Sequence, residues 1–407
     1  MKTTKIQLLH LRMKNFRSFR SEQILNFSDD GLNARNVTAI FGPNASGKSN
    51  TARALWAIKT FIINSTNAAN NRPLYDPFRF NSSSINEPSE LEIKFRHNDR
   101  VFTYSFATKA DRVVSEILKE KSKNTDKYRT ILSRNSSGNI NKDAARNGFG
   151  KQLIANTRNE SLIITRAQEY NNEYSNIIFE MLDAIVIILD NGQDMAGVAI
   201  DLLNKNPELF DETVKMLKMS DFSIRNIDIQ NVPVPEVVLS QLPIPEVEKN
   251  KIRSNGATQI ITNHAMRDGN NKVINNVGFG FAEESTGTKK FFTVAVPIIY
   301  AIKNGKTLYI DEFGSYLHPT LASSLIQLYQ KHNENVAAKL IINTHSTVLM
   351  DGDDLLKRED IVLVQKNMAE ESIIIPLNSK SVRKDEPLEK RYRQGIYGAV
   401  PTVRLGE

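Results

Sequence analysis

The chain has 407 residues, which is enough for one large domain or for a core domain that carries a second lobe. Its composition is that of a globular protein, and no apolar run approaches the ~20 residues that a membrane-spanning helix needs. The lack of cysteine excludes disulfides and thiolate metal sites, and the histidines show no metal-ligand spacing. We therefore expect a cytoplasmic protein that does not bind membranes, since the N-terminus also lacks the apolar stretch of a signal peptide.

The formal net charge of +7 leaves two interpretations open. The basic surplus could be spread over an ordinary solvated surface. Alternatively, it could be concentrated in a patch that binds an anionic partner such as DNA. The sequence alone does not separate the two, because clustering of charges depends on the fold.

The N-terminal part predicts strands that lead into a glycine-rich loop and a helix that leaves it. Alternation of apolar and polar residues over 6–19 predicts a strand that enters a turn. The apolar, partly β-branched run 36–41 feeds directly into the loop, and residues 49–62 have helical periodicity without a breaker. Residues 91–95 and 101–106 predict the two strands of a hairpin.

The middle of the chain is rich in Asn and Lys and differs from both ends. It predicts helices over about 160–189 and 196–219, followed by a proline-rich connector and two polar strands. We interpret residues 109–276 as a mainly helical lid lobe inserted into one nucleotide-binding core. The two halves of that core are predicted at 1–108 and 277–407, and the second half alternates helices with strands.

The segment Gly42-Pro-Asn-Ala-Ser-Gly-Lys-Ser49 has the spacing of a phosphate-binding loop between a strand and a helix. Its glycines let the backbone approach closely, so that successive N–H groups can cradle a phosphate. Lys48 can then reach the terminal phosphates of ATP, and Ser49 can ligate Mg²⁺. The predicted nucleotide-contacting residues are Gly42, Pro43, Asn44, Ala45, Ser46, Gly47, Lys48, Ser49 and Asn50.

Two acids follow the predicted strand 307–310. We expect Asp311 at the carboxyl edge of the sheet, beside the phosphate loop, where it can hold the magnesium shell. Glu312 is then placed to orient or deprotonate the attacking water. Two solvated acids at a strand end are the alternative, but the phosphate loop upstream favours the catalytic interpretation.

Two further polar features accompany these motifs. His345 follows the predicted strand 339–343, where it could sense the terminal phosphate or serve only a structural role. Residues 283–290 begin a helix that is rich in hydroxyl and N–H donors, and such a helix start binds anions. Because the chain already has a phosphate loop, we expect Ser285 and Gly287 to contact a phosphate held by a second subunit. Ordinary helix capping is the alternative.

Together, these motifs resemble the ABC-class ATPase heads of the SMC, RecF and OLD type. Residues 15–19 resemble the opening strand motif of that class, 284–288 a diverged signature motif, and 315–319 the D-loop. The resemblance covers both ends of the chain. It implies an α/β P-loop fold, an ABC-type ATPase head with a mixed sheet flanked by helices, and it implies a switch role for His345.

The same resemblance suggests two more nucleotide-site residues. Gln168 is the candidate for the glutamine that contacts the magnesium ion in this class. Arg17, within the opening motif, is a candidate for contact with a phosphate or the ribose of the nucleotide.

Finer features are similar to those of compact bacterial phage-defence ATPases of the AbiL/RloA type, which have relatives in the PARIS and Septu systems. These features are the diverged signature, Leu317-His-Pro319 and the segment Gly395-Ile-Tyr-Gly-Ala-Val-Pro401. In that group the ATPase works beside a separate effector, often a nuclease. OLD proteins fuse a nuclease behind the head, whereas too few residues follow His345 for one here, so we expect any nuclease to be another polypeptide.

The resemblance implies that two subunits sandwich two ATP molecules, in a homodimer or a higher homo-oligomer. Three functions remain open. The favoured one is an ATPase sensor and scaffold of an antiphage system, which holds a nuclease-like or toxin-like effector until a phage trigger protein arrives. The second is a RecF-like DNA-maintenance ATPase that binds DNA. The third is an interaction module in which ATP binding matters and turnover is incidental.

Overall fold

The computed structural model describes ten stretches of the chain. They are residues 5–67, 72–122, 125–189, 195–220, 223–242, 245–315, 317–331, 337–350, 355–380 and 387–400. Their strands are β1 (Ile6–Lys14), β2 (Gln23–Asn26), β3 (Val37–Phe41), β4 (Ser89–His97), β5 (Arg100–Thr108), β6 (Val113–Lys121), β7 (Tyr128–Arg134), β8 (Ile185–Ile188), β9 (Ile224–Val232), β10 (Ala257–Arg267), β11 (Val273–Gly280), β12 (Thr307–Ile310), β13 (Lys339–Asn343), β14 (Ile361–Lys366) and β15 (Ser372–Pro376).

The helices of the same residues are α1 (Lys48–Asn64), α2 (Lys151–Ala155), α3 (Ile163–Gln168), α4 (Glu173–Asp183), α5 (Met195–Lys205), α6 (Phe210–Met219), α7 (Glu236–Gln241), α8 (Glu246–Asn255), α9 (Thr286–Asn304), α10 (Pro319–Lys331) and α11 (Leu388–Arg393). Among these helices, none combines the length and the apolar character that a bilayer crossing requires.

The chain divides into two compact units. The first contains Met1–Asn191, Ala301–Ser315 and Ala322–Glu407, and the second contains Gly192–Tyr300 and Tyr316–Leu321. Both are therefore built from segments that are distant in sequence.

The first unit contains two six-stranded sheets. One has the order β2-β1-β4-β5-β6-β7 and is antiparallel throughout, and it includes the predicted hairpin of β4 and β5. The other has the order β15-β14-β3-β13-β12-β8, in which only β15 runs antiparallel to its neighbour. Because the remaining five strands are parallel, their carboxyl ends meet at one edge of the sheet, where ligands bind in open α/β sheets.

One hydrophobic core joins these sheets. It contains apolar side chains of β1 and β4 from the antiparallel sheet, of β3, β12 and β13 from the mixed sheet, and the buried face of α1. Within α1 that face includes Leu55, Ile58 and Ile62, which recur at the three- and four-residue spacing of an amphipathic helix. The burial of α1 along this face fixes the helix whose first turn follows the glycine loop.

The second unit has its own three-stranded antiparallel sheet, in the order β11-β10-β9. The predicted lobe of residues 109–276 overlaps this unit only from residue 192 onward. Residues 109–189 belong to the first unit, because β6 and β7 extend its antiparallel sheet and β8 pairs with β12 in its mixed sheet.

The predicted continuous helix over 160–189 is wrong. Asn171 has a left-handed φ of 54°, and the Asn172 side chain begins a new helix by accepting a hydrogen bond from Ser175 N at 3.1 Å. The apolar run at its end forms strand β8, since periodicity does not separate a short buried strand from a buried helix. Strands β6, β7, β9 and β15 were also not predicted.

A fully buried carboxylate holds α3 against the antiparallel sheet. The Glu116 oxygens accept hydrogen bonds from the backbone N–H groups of Ile163 and Ile164, at 2.8 and 2.9 Å. They also accept one from the Tyr104 hydroxyl at 3.0 Å, and lie 3.2 Å from the Arg134 guanidinium. The carboxylate thus satisfies the first N–H groups of a helix, which have no partner within it.

Replacing Glu116 with Ala should lower the free energy of unfolding by about 3–5 kcal/mol, because it leaves a buried arginine and two buried N–H groups without their acceptor. Denaturant unfolding followed by circular dichroism measures the change. Asp143→Ala is the control, since it removes an exposed ion pair with Arg146 and should cost less than about 1 kcal/mol. Equal losses in the two variants would contradict the role given to Glu116.

Candidate nucleotide-binding site

The glycine loop connects the fully buried strand β3 to the first turn of α1. Gly47 precedes the helix with a left-handed φ of 107°. Within the described residues no side chain caps this helix end by a hydrogen bond, and its first turn carries no acid. The N–H groups of the first turn and the helix dipole therefore favour an anion at this point.

Both glycines of the motif are required by close contacts. A Cβ atom on Gly42 would collide with the Val364 carbonyl oxygen of the neighbouring strand β14. A Cβ atom on Gly47 would collide with the Ser372 hydroxyl and would lie 2.7 Å from Ser18 Oγ. The loop is thus packed too tightly for any side chain at these two positions.

Lys48 folds back over the loop. Its Nζ donates hydrogen bonds to the carbonyl oxygens of Gly42 at 2.9 Å and Pro43 at 3.0 Å. Burial lowers the pKa of the ammonium group to about 8, while the charges of Glu312 and Asp311 oppose this shift. The amine is held where phosphates on the helix end would reach it, and a phosphate would favour its charged form.

Asn343, at the end of β13, connects the parts of the site. Its side-chain N–H₂ group donates to Lys48 O at 2.9 Å and to Asp311 Oδ1 at 2.8 Å. The side-chain oxygen of Asn343 accepts a hydrogen bond from the Tyr309 hydroxyl at 3.1 Å. The same hydroxyl lies 2.6 Å from Thr51 Oγ1. One amide therefore fixes Asp311 relative to the first turn of α1.

Asp311 and Ser49 are brought together as predicted for a magnesium site. Burial raises the pKa of Asp311, and hydrogen bonds from Asn343 and from the Ser49 hydroxyl oppose the rise. This donor set fits Mg²⁺, which takes one or two protein oxygens and leaves its other positions to phosphate oxygens and water.

Glu312 and His345 face the same cleft. The Glu312 backbone has a left-handed φ of 56°, and its Oε1 lies 3.4 Å from His345 Nε2. The hydrogen bond with His345 lowers the pKa of Glu312, with a smaller contribution from the charge of Lys48. Glu312 is therefore ionised at neutral pH and able to accept a proton.

The cleft has a volume of about 280 Å³ and contains one residue that sequence reasoning missed. Arg53 lies four residues after Ser49 on α1 and therefore on the same helix face. A basic residue four positions after Ser49 on the predicted helix is the sequence feature that could have identified Arg53. The lining residues are Asn44, Ala45, Ser46, Gly47, Lys48, Ser49, Asn50, Arg53, Glu312 and His345.

The opening motif contacts the loop through Ser18 and not through Arg17. Asn50 Nδ2 donates to Ser18 Oγ at 2.8 Å. The Arg17 side chain pairs with Asp76 at 2.9 Å and is not among the residues that line the cleft. Ser372, also missed from the sequence, donates from its hydroxyl to Ser46 O at 2.6 Å.

The structure does not bring Gln168 to the cleft. Its helix α3 packs at the far end of α1, where Thr165 Oγ1 donates to Ile62 O at 2.6 Å. Ile62 lies fourteen positions along α1 from Lys48, which corresponds to roughly 20 Å at the helical rise.

Ser285 and Gly287 belong to the second unit, at the start of α9. Ser285 Oγ accepts a hydrogen bond from Thr288 N at 3.0 Å, so the serine caps this helix. In the predicted D-loop, Tyr316 lies outside the described residues, whereas Ser315 Oγ donates to Glu312 Oε2 at 3.3 Å. Pro401 of the C-terminal segment also lies outside them.

Replacing Lys48 with Met should abolish stabilisation by nucleotide without destabilising the nucleotide-free protein. The wild-type protein should gain about 2.7 kcal/mol at an Mg-ATP concentration 100 times its Kd. The variant should gain nothing, because it lacks the cation for the phosphates. Its melting temperature without nucleotide should not fall, because a desolvated charge is removed. Thermal unfolding with and without Mg-ATP measures both effects, and an equal gain in the variant would contradict the assignment.

Two family models match the chain. Residues 10–218, just over half of the chain, match the family model "AAA domain". Residues 225–351 match the model "AAA domain, putative AbiEii toxin, Type IV TA system". No curated protein sequence matches the chain.

Solved structures of SMC heads are similar to the chain. The SMC head domain from Thermotoga maritima has 15% identity and a TM-score of 0.43, and the alignment covers 91% of this chain and 98% of that one. An SmcHead bound to the C-winged helix domain of ScpA has 15% identity and a TM-score of 0.47, covering 91% and 97%. An Smc head from Pyrococcus furiosus, bound to the C-terminal domain of ScpA, has 12% identity and a TM-score of 0.42, covering 91% and 96%.

The family is shown by the match of residues 10–218, which are more than half of the chain. The chain belongs to the AAA-domain family of P-loop ATPases.

Proposed function

We propose that the chain binds and hydrolyses ATP, and that the nucleotide gates a homodimer acting as sensor and scaffold of a bacterial antiphage defence system. The observation that carries the enzymatic part is the Asn343 amide, which holds Asp311 against the first turn of α1 beside Glu312 and His345. Such pre-organised geometry is what phosphoryl transfer requires, because catalysis there is mostly positioning and charge stabilisation.

Each residue of the cleft has a chemical task in this proposal. Lys48 and the N–H groups at the start of α1 bind the phosphates, and Ser49 with Asp311 would hold Mg²⁺. The ion, when bound, neutralises charge on the phosphate oxygens. Glu312 accepts a proton from the attacking water, and His345 orients Glu312 and lowers its pKa.

The proposal of a dimer is supported by two residues of the second unit. Ser285 and Gly287 start α9 in the second unit, and a helix start of this kind binds anions. We propose that they close over the terminal phosphate held by a second copy of the chain. Contacts to a single phosphate then bias the dimer between two states.

The defence role has a separate support. The family model that matches residues 225–351 carries the description of a putative AbiEii toxin in a toxin–antitoxin system. We propose that the dimer holds a separate nuclease-like or toxin-like effector and releases it when a phage protein binds.

Replacing Glu312 with Gln should reduce ATP hydrolysis by about 100-fold or more, because the amide cannot accept the proton of the attacking water. ATP-bound dimers should then accumulate. Size-exclusion chromatography with light scattering in Mg-ATP measures the dimer, and phosphate release measures turnover. The double variant Glu312→Gln, Gly287→Glu is the control, which should stay monomeric because a carboxylate would oppose the partner's phosphate.

The same variant separates the proposed role from that of a plain interaction module. In cells that carry the chain with its neighbouring genes, Glu312→Gln should abolish protection, measured as phage plating efficiency. Full protection by a variant that does not hydrolyse ATP would show that turnover is incidental. Normal hydrolysis by this variant would refute the catalytic assignment.

A basic cleft in the second unit favours DNA as a ligand, and this makes a RecF-like DNA-maintenance ATPase the second candidate. The cleft has a volume of about 440 Å³ and carries Lys218, Arg225 and Arg267. These cations lie on α6, β9 and β10, so the fold gathers charge that is dispersed in the sequence. Such a cluster is the electrostatic footprint expected for a phosphate backbone.

If the second candidate is correct, duplex DNA should stimulate ATP hydrolysis, with binding that weakens steeply as salt rises. Arg225→Ala should then reduce the slope of log K against log salt by about 1. Fluorescence anisotropy over a salt series measures this slope. Lys251→Ala, which removes an equal charge from the exposed face of α8, should leave it unchanged. An ATP hydrolysis rate that does not change when DNA is added would contradict this candidate.

A further inference from the structure

The segment from Leu388 to Ala399, which contains α11, follows the mixed sheet in sequence and has no role in the site described above. It includes most of the glycine-containing motif near the end of the sequence. We infer that this segment sets the position of His345, and that Glu389 is its positioning residue. The inference rests on the proposed ATPase function, because His345 matters only if the cleft hydrolyses a nucleotide.

Glu389 holds the chain just past His345. Its Oε1 accepts a hydrogen bond at 2.8 Å from the hydroxyl of Thr347, two residues beyond the histidine. Thr347 begins a short 3₁₀ turn that ends at Met350. The two partners are 42 residues apart in sequence, so the bond ties the C-terminal helix to the segment that carries His345.

The other side of His345 is tied to the strand end that carries Glu312. Thr344 Oγ1 donates to the carbonyl oxygen of Phe313 at 2.8 Å and accepts from Ser346 N at 3.1 Å. Because the His345 side chain itself is 36% exposed, its direction depends on these flanking anchors. Thr344 therefore holds the segment before His345 to the residue after Glu312, and Glu389 of α11 holds the segment after it.

The C-terminal segment is itself fixed to the sheet beneath the phosphate loop. The Tyr392 ring lies 6.4 Å from the ring of Phe41, the last residue before Gly42. The Tyr392 hydroxyl donates to Ala399 O at 2.6 Å, and Ala399 N donates to Gln365 Oε1 at 2.8 Å. Through Glu389, the segment that carries His345 is therefore linked to strand β3, which leads into the phosphate loop.

The distance between His345 Nε2 and Glu312 Oε1 is 3.4 Å, near the upper limit of a hydrogen bond. A small displacement of the histidine is therefore enough to break the contact that orients the base. Since Glu389 does not line the cleft, its removal should change turnover and leave nucleotide binding as it is.

Glu389→Ala should lower kcat for ATP hydrolysis about tenfold, while the KM for ATP changes by less than about twofold. Glu389→Gln should stay near the wild-type rate, because its amide oxygen still accepts from Thr347. In a His345→Ala background, Glu389→Ala should cause no further loss, since the two residues act through one contact.

If the losses of kcat in the two single variants multiply in the double variant, the inference is overturned and Glu389 has a merely structural role. A raised KM with unchanged kcat in Glu389→Ala would overturn it as well. Hydrogen exchange of residues 344–350 in the nucleotide-free protein gives an independent test, and exchange should be faster in Glu389→Ala than in Glu389→Gln. Equal exchange in the two variants overturns the inference. If the wild-type chain does not hydrolyse ATP, the proposed function fails, and the exchange measurement still decides whether Glu389 anchors this segment.

Discussion

The side-chain amide of Asn343 ties the end of β13 to the first turn of α1 and to the end of β12. It does so because an amide carries two donors and an acceptor, and all three face partners here: Lys48 O, Asp311 and Tyr309. The amide nitrogen and oxygen are buried with these partners, so loss of any one would leave a polar group without compensation. The relative placement of the loop and Asp311 depends on this residue, and every proposed step of hydrolysis depends on that placement.

The charges of the cleft are arranged for a ligand that carries both signs. Burial lowers the pKa of Lys48 to about 8 and raises the pKa of Asp311, so burial disfavours the charged form of each group. A magnesium triphosphate would reverse both effects, because its phosphates favour the ammonium and its cation favours the carboxylate. Glu312 differs, since the hydrogen bond with His345 lowers its pKa.

The limits of sequence reasoning are clearest in the middle of the chain. The periodicity of the run Ile185–Ile188 predicts a helix, yet the run forms an edge strand beside β12, which lies more than a hundred residues later in the chain. The sequence pattern does not predict strands β6 and β7, although each continues the sheet by antiparallel pairing with the strand before it. The periodicity of apolar and polar residues depends on the segment alone, whereas strand pairing depends on which neighbouring strand the fold places beside it.

The phosphate loop and the acids Asp311 and Glu312 can be recognised from the sequence, because their chemistry depends on local order: strand, glycine loop and helix, or a strand and the acids at its end. The fold is needed to show that Asn343 joins them, that Ser372 supports the loop, and that Gln168 lies at the far end of α1. These contacts connect residues from 32 to 326 positions apart. No local pattern encodes them, since they arise from the order in which the mixed sheet places its strands.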